Sequence, residues 1–224
     1  MNHQAPNDDA LLVSAMGEAA LLCETARPLN EPDQRRYWAM ARAAESWPGV
    51  LEAVPGVNNL LVVFDPFATD AETVERALRD GWTGADEHAV ESRLVEVPVI
   101  YGGDLGMDLL PLAAHAGLSV DEVVQIHSAA EYTVYAVGAV PGFPYMAGLD
   151  PRLAWARRDV PRLRLDAGSI IVGGVQAGIM PVTTPSGWHS LGWTPMGFFD
   201  AAATPPARLA PGDRVRFTVA EVRA

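Results

Sequence analysis

Apolar residues in the first hundred positions alternate between strand-like and helix-like spacing. The segment ALLVSAMGEAALLCET, residues 10–25, holds two apolar runs separated by Gly17, which suits a pair of strands. It is followed by NEPDQRRYWAMARAAESWPG, in which apolar residues recur at helical spacing. Asn30 is a candidate N-cap for this helix, and Pro48-Gly49 ends it.

The next elements complete the pattern of a small α/β domain. VLEAVPGVNNLLVVFDP predicts a hairpin-like pair of strands, and Thr69 with Glu72 predicts a capping box for a helix that ends near Gly81. ESRLVEVPVIY then alternates as a strand. The order β, α, β, β, α, β is that of a ferredoxin-like unit, which we place over residues 10–95. The first nine residues are predicted to be a disordered tail.

Near Pro98 the pattern changes. Two short helices come first, DLLPLAAHAG and SVDEVVQIH, and Ser119 with Glu122 forms a capping box at the start of the second. From there to the end, short apolar runs are separated by glycines and prolines. This spacing predicts a β-barrel or a β-sandwich over residues 96–224, so the expected fold class is α+β.

Composition restricts the class of protein further. The 224 residues are 49% hydrophobic, but no apolar run approaches the length of about 18 residues that a membrane span needs. The N-terminus does not have the pattern of a secretory signal. The single cysteine, Cys23, lies between apolar residues and is expected in the core. A net charge of −12 argues against nucleic acid as a partner, so we expect a cytoplasmic protein with neither a nucleic-acid nor a membrane partner.

The chain has no lysine, since all 16 of its cationic side chains are arginine. This absence excludes a P-loop lysine, a Schiff base to a cofactor and a biotinyl-lysine on this chain. If the protein handles ATP, the phosphates have to be held by arginine, backbone amides, a metal or a partner.

Candidate catalytic and metal-binding groups are few. The five histidines are scattered without the spacing of metal ligands, so no metal on this chain is predicted. His127 is the most interesting of them because it ends a short helix, where it could face a pocket. Ser186 with His189 is a weak candidate for a catalytic dyad. Asp104 and Asp108 could flank a metal, although the start of a capped helix explains them as well.

Glycine, proline and aromatic residues fall together between residues 141 and 199. Pro141 and Pro144 restrict the backbone around Phe143 and Tyr145, so a loop with few conformations presents two rings. An ordinary barrel core needs apolar residues at alternate positions, not this many in turns. The pattern favours a recognition surface, for a small molecule or another subunit, over packing alone.

The same segments resemble those of a known family. The motifs VPVIYGGDLGMDL, IHSAAEYTVYAVGAVPGFPYMAGL, RLRLDAGSIIVGG, QAGIMPVTTPSGWHSLGWTP and LAPGDRVRF are similar to those of the 5-oxoprolinase B subunits, a family also labelled allophanate hydrolase subunit 1 and related to the Kip inhibitor of sporulation kinase. The resemblance covers nearly all of the chain after residue 10. The family pattern falls here on His127, Ser128, Tyr132, residues 141–145, Gly174, Gln176, Gly178, Ile179, Pro181, Gly187 and Trp188.

The resemblance implies a cyclophilin-like β-barrel after the small N-terminal domain. It also implies two partners, a homologous C subunit and a third, ring-opening A subunit, which open the lactam of 5-oxoproline together with the B subunit at the expense of ATP. Equivalent domains fused in one chain form the carboxyltransferase of urea carboxylase, so an allophanate- or urea-like amide is a further candidate substrate. The Kip branch offers an alternative, a non-catalytic inhibitor that binds a histidine kinase.

The residues and the resemblance together place a site at the mouth of the barrel. The candidate catalytic residues are His127, for proton transfer, with Gln176 and Tyr145, which suit the edge of an amide. Candidate substrate-binding or interface residues are Tyr132, Phe143, Gly174, Gly178, Pro181 and Trp188. The chain departs from the family pattern at Met180, where tyrosine is frequent, and at Trp193, where arginine is usual.

Overall fold

The computed structural model describes residues 10–84 and 92–223, and the chain divides into two units, residues 1–91 and 92–224. The predicted disordered tail, residues 1–9, lies outside the described residues. No helix within the described ranges combines the length and the apolar character that crossing a bilayer requires.

The first unit is a four-stranded antiparallel sheet with two helices packed against it. Its elements are β1 (Leu11–Ala15), β2 (Ala20–Thr25), α1 (Glu31–Ala44), β3 (Val50–Pro55), β4 (Asn59–Phe64) and α2 (Ala71–Gly84). The strand order is β1-β2-β4-β3. Residues in β2 and β4 alternate between buried and half-buried positions, because the core side chains of α1 and α2 cover one face of the sheet.

Local signals account for most of this unit. The Asn30 side chain accepts a hydrogen bond from the backbone N–H of Asp33, which confirms the predicted cap of α1. Cys23 is fully buried, and burial raises the pKa of its thiol to about 12, which confirms a core role. The predicted cap of α2 is wrong: Asp70, not Thr69, accepts from the backbone N–H of Thr73.

The order of strands also differs from the expected one. The segment that the sequence suggested as the last strand of the first domain belongs to the second unit, where it forms β5 (Leu94–Gly102). The fourth position in the first sheet is taken instead by β1, which pairs with β2 along its length. The sequence predicts a strand for both segments, but a local pattern does not tell which sheet each strand joins.

The second unit is a closed barrel of seven strands with short helices. After β5 come α3 (Leu109–Ala116), α4 (Val120–Ala129), β6 (Glu131–Val137), β7 (Pro144–Ala147), β8 (Arg162–Leu165), β9 (Ser169–Gly173), β10 (Gln176–Ile179), β11 (Thr184–Ser186), β12 (His189–Trp193) and β13 (Arg214–Arg223). Around the barrel the order is β10-β7-β6-β13-β5-β12-β9, and β8 and β11 form a separate two-stranded ribbon. The chain is therefore of mixed α and β class, as predicted.

The barrel closes by pairing its first strand with its last. β13 runs parallel to β5, from Arg214 beside Leu94 to Arg223 beside Gly102. Gly102 has a φ of 75°, and a Cβ there would lie 2.0 Å from the carbonyl oxygen of Arg223, so only glycine fits. The interior is filled by apolar side chains from the barrel strands and from α3 and α4.

Candidate functional site

A cavity of about 600 Å³ opens in the second unit beside the β8–β11 ribbon. Its lining residues come from three parts of the chain and from Met180: Ala139, Val140, Phe143 and Tyr145; Arg157, Arg158 and Pro161; and residues 184–188. Its volume lies within the usual range of small-molecule sites, about 300–1,000 Å³. Three residues that the sequence singled out, Phe143, Tyr145 and Trp188, line this cavity, and it is therefore the candidate functional site.

Three aromatic rings form one wall of the cavity. The ring centroids of Phe143 and Tyr145 are 4.8 Å apart at 77°, and those of Phe143 and Trp188 are 5.5 Å apart at 86°. Tyr145 and Trp188 complete the set at 6.1 Å and 64°. This edge-to-face packing fixes each ring against the other two, and all three residues contribute to the cavity lining.

The proline-rich loop holds Phe143 by its own backbone. The N–H of Phe143 donates to the carbonyl of Val140, and the carbonyl of Phe143 accepts from the N–H of Gly138, both at 3.0 Å. Gly142 takes a φ of 79°, a conformation that side chains disfavour. The bend therefore places Phe143 in the cavity wall immediately before β7 begins at Pro144.

Glycines on β9 and β10 make room for two of these rings. A Cβ at Gly178 would lie 2.9 Å from Cζ of Phe143, and a Cβ at Gly173 would lie 2.5 Å from the indole of Trp188. Sequence reasoning selected Gly178 but not Gly173. It also selected Gly174, which instead forms the turn with a φ of 62° and exchanges backbone hydrogen bonds with Trp155.

The cavity lining is also cationic. Arg157 and Arg158 both line it, and none of its lining residues is acidic. Sequence reasoning missed this pair, although the doubled arginine in WARRDVP is visible. A second doublet, Arg35-Arg36, lies on α1 and forms ion pairs with acidic residues of the same helix, so a doublet alone does not indicate a site.

Asp108 connects the cavity to three elements of the second unit. Its carboxylate is buried and accepts two hydrogen bonds from Arg162 on β8, at 2.7 and 2.8 Å, and one from the N–H of Ser190 on β12, at 2.7 Å. Arg158 lies 3.6 Å away. Asp108 occupies the N-cap position of α3 without making a side-chain cap bond, so neither the capping nor the metal interpretation describes it. Among the described residues, no group of three or more potential metal ligands occurs.

Comparison with known proteins agrees with this architecture. Residues 11–209 match the family model for the carboxyltransferase domain, subdomains C and D. The 5-oxoprolinase B subunit of Escherichia coli O157:H7 is 42% identical over 203 residues, which cover 90% of this chain and 93% of that protein. The chain belongs to the family of 5-oxoprolinase B subunits.

Other members of the 5-oxoprolinase B-subunit family show how far the similarity extends. The B subunit of Haemophilus influenzae is 38% identical, and the match covers 91% of this chain and 95% of that protein. Among solved structures, TTHA0988 superposes with a TM-score of 0.78 at 36% identity. The superposition covers 90% of this chain but only 40% of TTHA0988, so the present chain spans well under half of that longer protein.

The family residue His127 does not face the cavity. Its ring is fully buried on α4, Nδ1 is hydrogen-bonded to the hydroxyl of Tyr101 at 2.8 Å, and the ring stacks on Phe217 at 4.6 Å. Burial lowers the pKa of His127 to about 3. Tyr132 belongs to the same buried cluster and donates to the carbonyl of His127. The expectation that His127 transfers a proton to a substrate is corrected, because nothing outside the core can reach its ring.

The remaining family residues divide between the cavity and its surroundings. Phe143, Tyr145 and Trp188 line the cavity, whereas Gln176 is half-buried at the start of β10 and Pro181 is buried, both outside the lining. Of the two residues that depart from the family pattern, one lines the cavity and the other does not. Met180 lies in the cavity lining, whereas Trp193 does not and donates from its indole to the carbonyl of Ala167 at 2.8 Å.

The suggested dyad of Ser186 and His189 does not form. Ser186 Oγ accepts from the N–H of Trp188 at 3.2 Å, and His189 Nε2 donates to the carbonyl of Ala156 at 2.8 Å. The His189 ring stacks on Trp155 with centroids 3.8 Å apart. His189 therefore supports the segment that carries the two cavity arginines.

Proposed function

We propose that this chain is the B subunit of an ATP-dependent 5-oxoprolinase, in which its partners are a homologous C subunit and a ring-opening A subunit. The observation that carries the proposal is the similarity to proteins named as 5-oxoprolinase B subunits along nearly the whole of both chains. ATP hydrolysis would drive the opening of the lactam ring. Because ATP is a cytoplasmic metabolite, we place the assembly in the cytoplasm.

Within this proposal, the cavity holds the amide substrate. A five-membered lactam is planar around its amide, so it can lie against the rings of Phe143 and Trp188. The Tyr145 hydroxyl can donate to or accept from the amide edge. Because the loop around Phe143 and the glycines beneath it are rigidly packed, the wall needs little reorganisation when the substrate binds.

The cavity lacks groups that could complete the chemistry by themselves. Its lining contains arginines, hydroxyl groups and apolar residues, but no carboxylate, histidine, cysteine or lysine. General acid-base catalysis near neutral pH draws on such groups. We therefore propose that the reacting groups come from the partner subunits and that the isolated chain is inactive.

The length of TTHA0988 supports a partner of this kind. This chain matches 40% of that protein, which leaves room for at least one further domain in the same polypeptide. In the present system, we propose that the corresponding domain is the separate C subunit. A stable complex between the two chains would bury at least about 1,000 Å².

Co-expression of this chain with the two partner subunits from the same genome tests the proposal. We expect co-purification and ATP-dependent hydrolysis of 5-oxoproline, with less or no turnover of urea and allophanate. The isolated chain should not bind ATP with sub-micromolar affinity in calorimetry, since it has no P-loop lysine and we propose that the phosphate contacts come from a partner subunit.

Phe143→Ala in the assembled complex tests whether the cavity binds the substrate. It should raise the KM for 5-oxoproline about tenfold, because the largest rigid wall of the cavity is removed. An assembly that hydrolyses none of the three amides would contradict the proposal. Inhibition of a histidine kinase by the purified chain would then favour the Kip-type alternative.

A further inference from the structure

We propose that Arg157 and Arg158 form a carboxylate-binding subsite that makes the cavity selective for an anionic lactam over a neutral amide. This inference rests on the proposed function, since it names the chemical class of the substrate in the same cavity. The first observation is that the charge of the cavity lining is opposite in sign to the net charge of the chain. The chain has a net charge of −12, yet the cavity is lined by two arginines and by no acidic residue.

The N–H donors of the Arg157 guanidinium are free to bind a ligand. It is exposed at the cavity and makes neither an ion pair nor a hydrogen bond with any residue in the described ranges. By contrast, Arg164 on the same stretch of chain is paired with Asp166 at 2.7 Å. An arginine without a partner at the edge of a cavity can form a charge-assisted hydrogen bond with an incoming carboxylate.

Arg158 also has an N–H donor without a hydrogen-bond partner in the described part of the chain. Its Nε is buried and has no hydrogen-bond partner there. It forms an ion pair with Asp108 at 3.6 Å, and that carboxylate already accepts two short hydrogen bonds from Arg162 and one from the backbone N–H of Ser190. The contact of Arg158 with Asp108 is longer than a hydrogen bond, so the Arg158 guanidinium keeps charge and N–H donors that a ligand carboxylate can use.

The arginine segment is fixed relative to the aromatic wall. The N–H of Arg158 donates to the carbonyl of Gly187 at 2.8 Å, directly beside Trp188. Two residues earlier, the Ala156 carbonyl accepts from His189, and Trp155 exchanges backbone hydrogen bonds with Gly174. These anchors hold the backbone of the arginine segment beside Trp188 before any ligand arrives, which lowers the entropic cost of binding.

The chemistry of 5-oxoproline matches the two sides of the cavity. Its flat lactam suits the aromatic wall, and its carboxylate, attached directly to the ring, suits the arginines that line the same cavity. The neutral lactam 2-pyrrolidinone has the same ring without the carboxylate, so it would leave both arginines unsatisfied. Loss of one charge-assisted hydrogen bond typically weakens binding by about tenfold to a hundredfold.

Steady-state kinetics of the assembled complex test this subsite. We expect Arg157→Gln to raise the KM for 5-oxoproline about tenfold or more while kcat stays within about twofold, because the arginine binds the carboxylate and takes no part in ring opening. The rate with 2-pyrrolidinone should equal that of the wild type. Arg157→Lys should recover most of the affinity, since it keeps the charge.

Arg164→Gln is the matched control. It removes an exposed arginine seven positions away that does not line the cavity, so its KM should equal that of the wild type. An active wild-type assembly whose KM for 5-oxoproline is the same in Arg157→Gln and Arg164→Gln would overturn the subsite. That result would leave the proposed function intact.

Direct binding separates the two proposals if the assembly is inactive. Equilibrium dialysis of the intact chain with labelled 5-oxoproline and with 2-pyrrolidinone requires no turnover. Saturable binding of 5-oxoproline that is lost in Arg157→Gln and kept in Arg164→Gln would support the anion subsite even without activity. Equal binding of the charged and neutral lactams, or binding of neither, would overturn it.

Discussion

His127 lies in the last turn of helix α4, where its ring packs against Tyr101, Tyr132 and Phe217, and this environment fixes its protonation state. One ring nitrogen is hydrogen-bonded to Tyr101, whereas Nε2 is buried without a partner among the described residues. Because no carboxylate compensates a charge there, burial holds the pKa of His127 at about 3 and keeps the ring neutral. The residue therefore affects stability rather than turnover.

The pH dependence of unfolding should reveal this neutral ring. Below pH 6.5 the unfolded chain binds a proton at His127 and the folded chain does not, so the free energy of unfolding falls by up to about 1.4 kcal/mol per pH unit as pH decreases from about 6.5 toward about 3. His127→Asn cannot take up that proton. We expect the stability advantage of the wild type over this variant, measured by urea unfolding between pH 7.5 and 4.5, to shrink at about that rate.

Val123→Ala provides the comparison for His127. Val123 is a buried residue of the same helix that carries no titratable group, so its stability loss should be the same at every pH. If the gap between the wild type and His127→Asn were also constant with pH, the ring would not be buried in its neutral form.

Between elements, Asp108 links the start of α3 to β8 and β12 through Arg162 and Ser190. These partners lie 54 and 82 residues away in sequence. The β8–β11 ribbon is outside the barrel sheet, so this ion pair is a specific tie between the ribbon and the barrel. The same tie leaves Arg158 without a short bond to Asp108.

Asp108→Asn should weaken the second unit measurably. The substitution keeps the shape of the side chain but leaves Arg162 without its counter-ion, and breaking a buried pair in this way costs about 3 kcal/mol. Chemical denaturation of the wild type and the variant measures the loss. Glu221→Gln, which removes an exposed pair with Arg223, should cost less than about 1 kcal/mol. Equal losses in the two variants would contradict the role assigned to Asp108.

At the scale of the whole molecule, the barrel is closed by residues of the second unit alone. β5 and β13, at its two ends, pair with each other, and β13 also pairs with β6. Every residue of the large barrel core lies between Val97 and Phe217. The hydrophobic burial that stabilises the barrel is thus contained in a continuous stretch of chain.

A fragment of residues 92–224 should therefore fold by itself. We expect a cooperative denaturant transition and a dispersed amide NMR spectrum, because no strand of the barrel is missing. A fragment of residues 92–210 lacks β13 and exposes the edges of both β5 and β6, so it should show neither. A non-cooperative transition in the longer fragment would show that the barrel depends on the first unit.

The sequence by itself determined the local features of this protein. The cap at Asn30 and the rigid bend around Phe143 arise from neighbouring residues, so short-range patterns were enough to predict them. The apolar setting of Cys23 likewise indicated its place in the core. The family motifs, read as a set, also gave the relationship to the 5-oxoprolinase B subunits.

Only the tertiary structure decided which polar residues share a site. His127 and Tyr145 carry similar family signals, but folding buries one among aromatic rings and places the other in the cavity. The doublet Arg157-Arg158 is visible in the sequence but does not indicate a site by itself, because its place in the cavity depends on segments distant in sequence. The β5 strand joined the barrel for the same reason, since alternation specifies a strand but not its partner. Burial and partner choice are properties of long-range packing, which local periodicity does not encode.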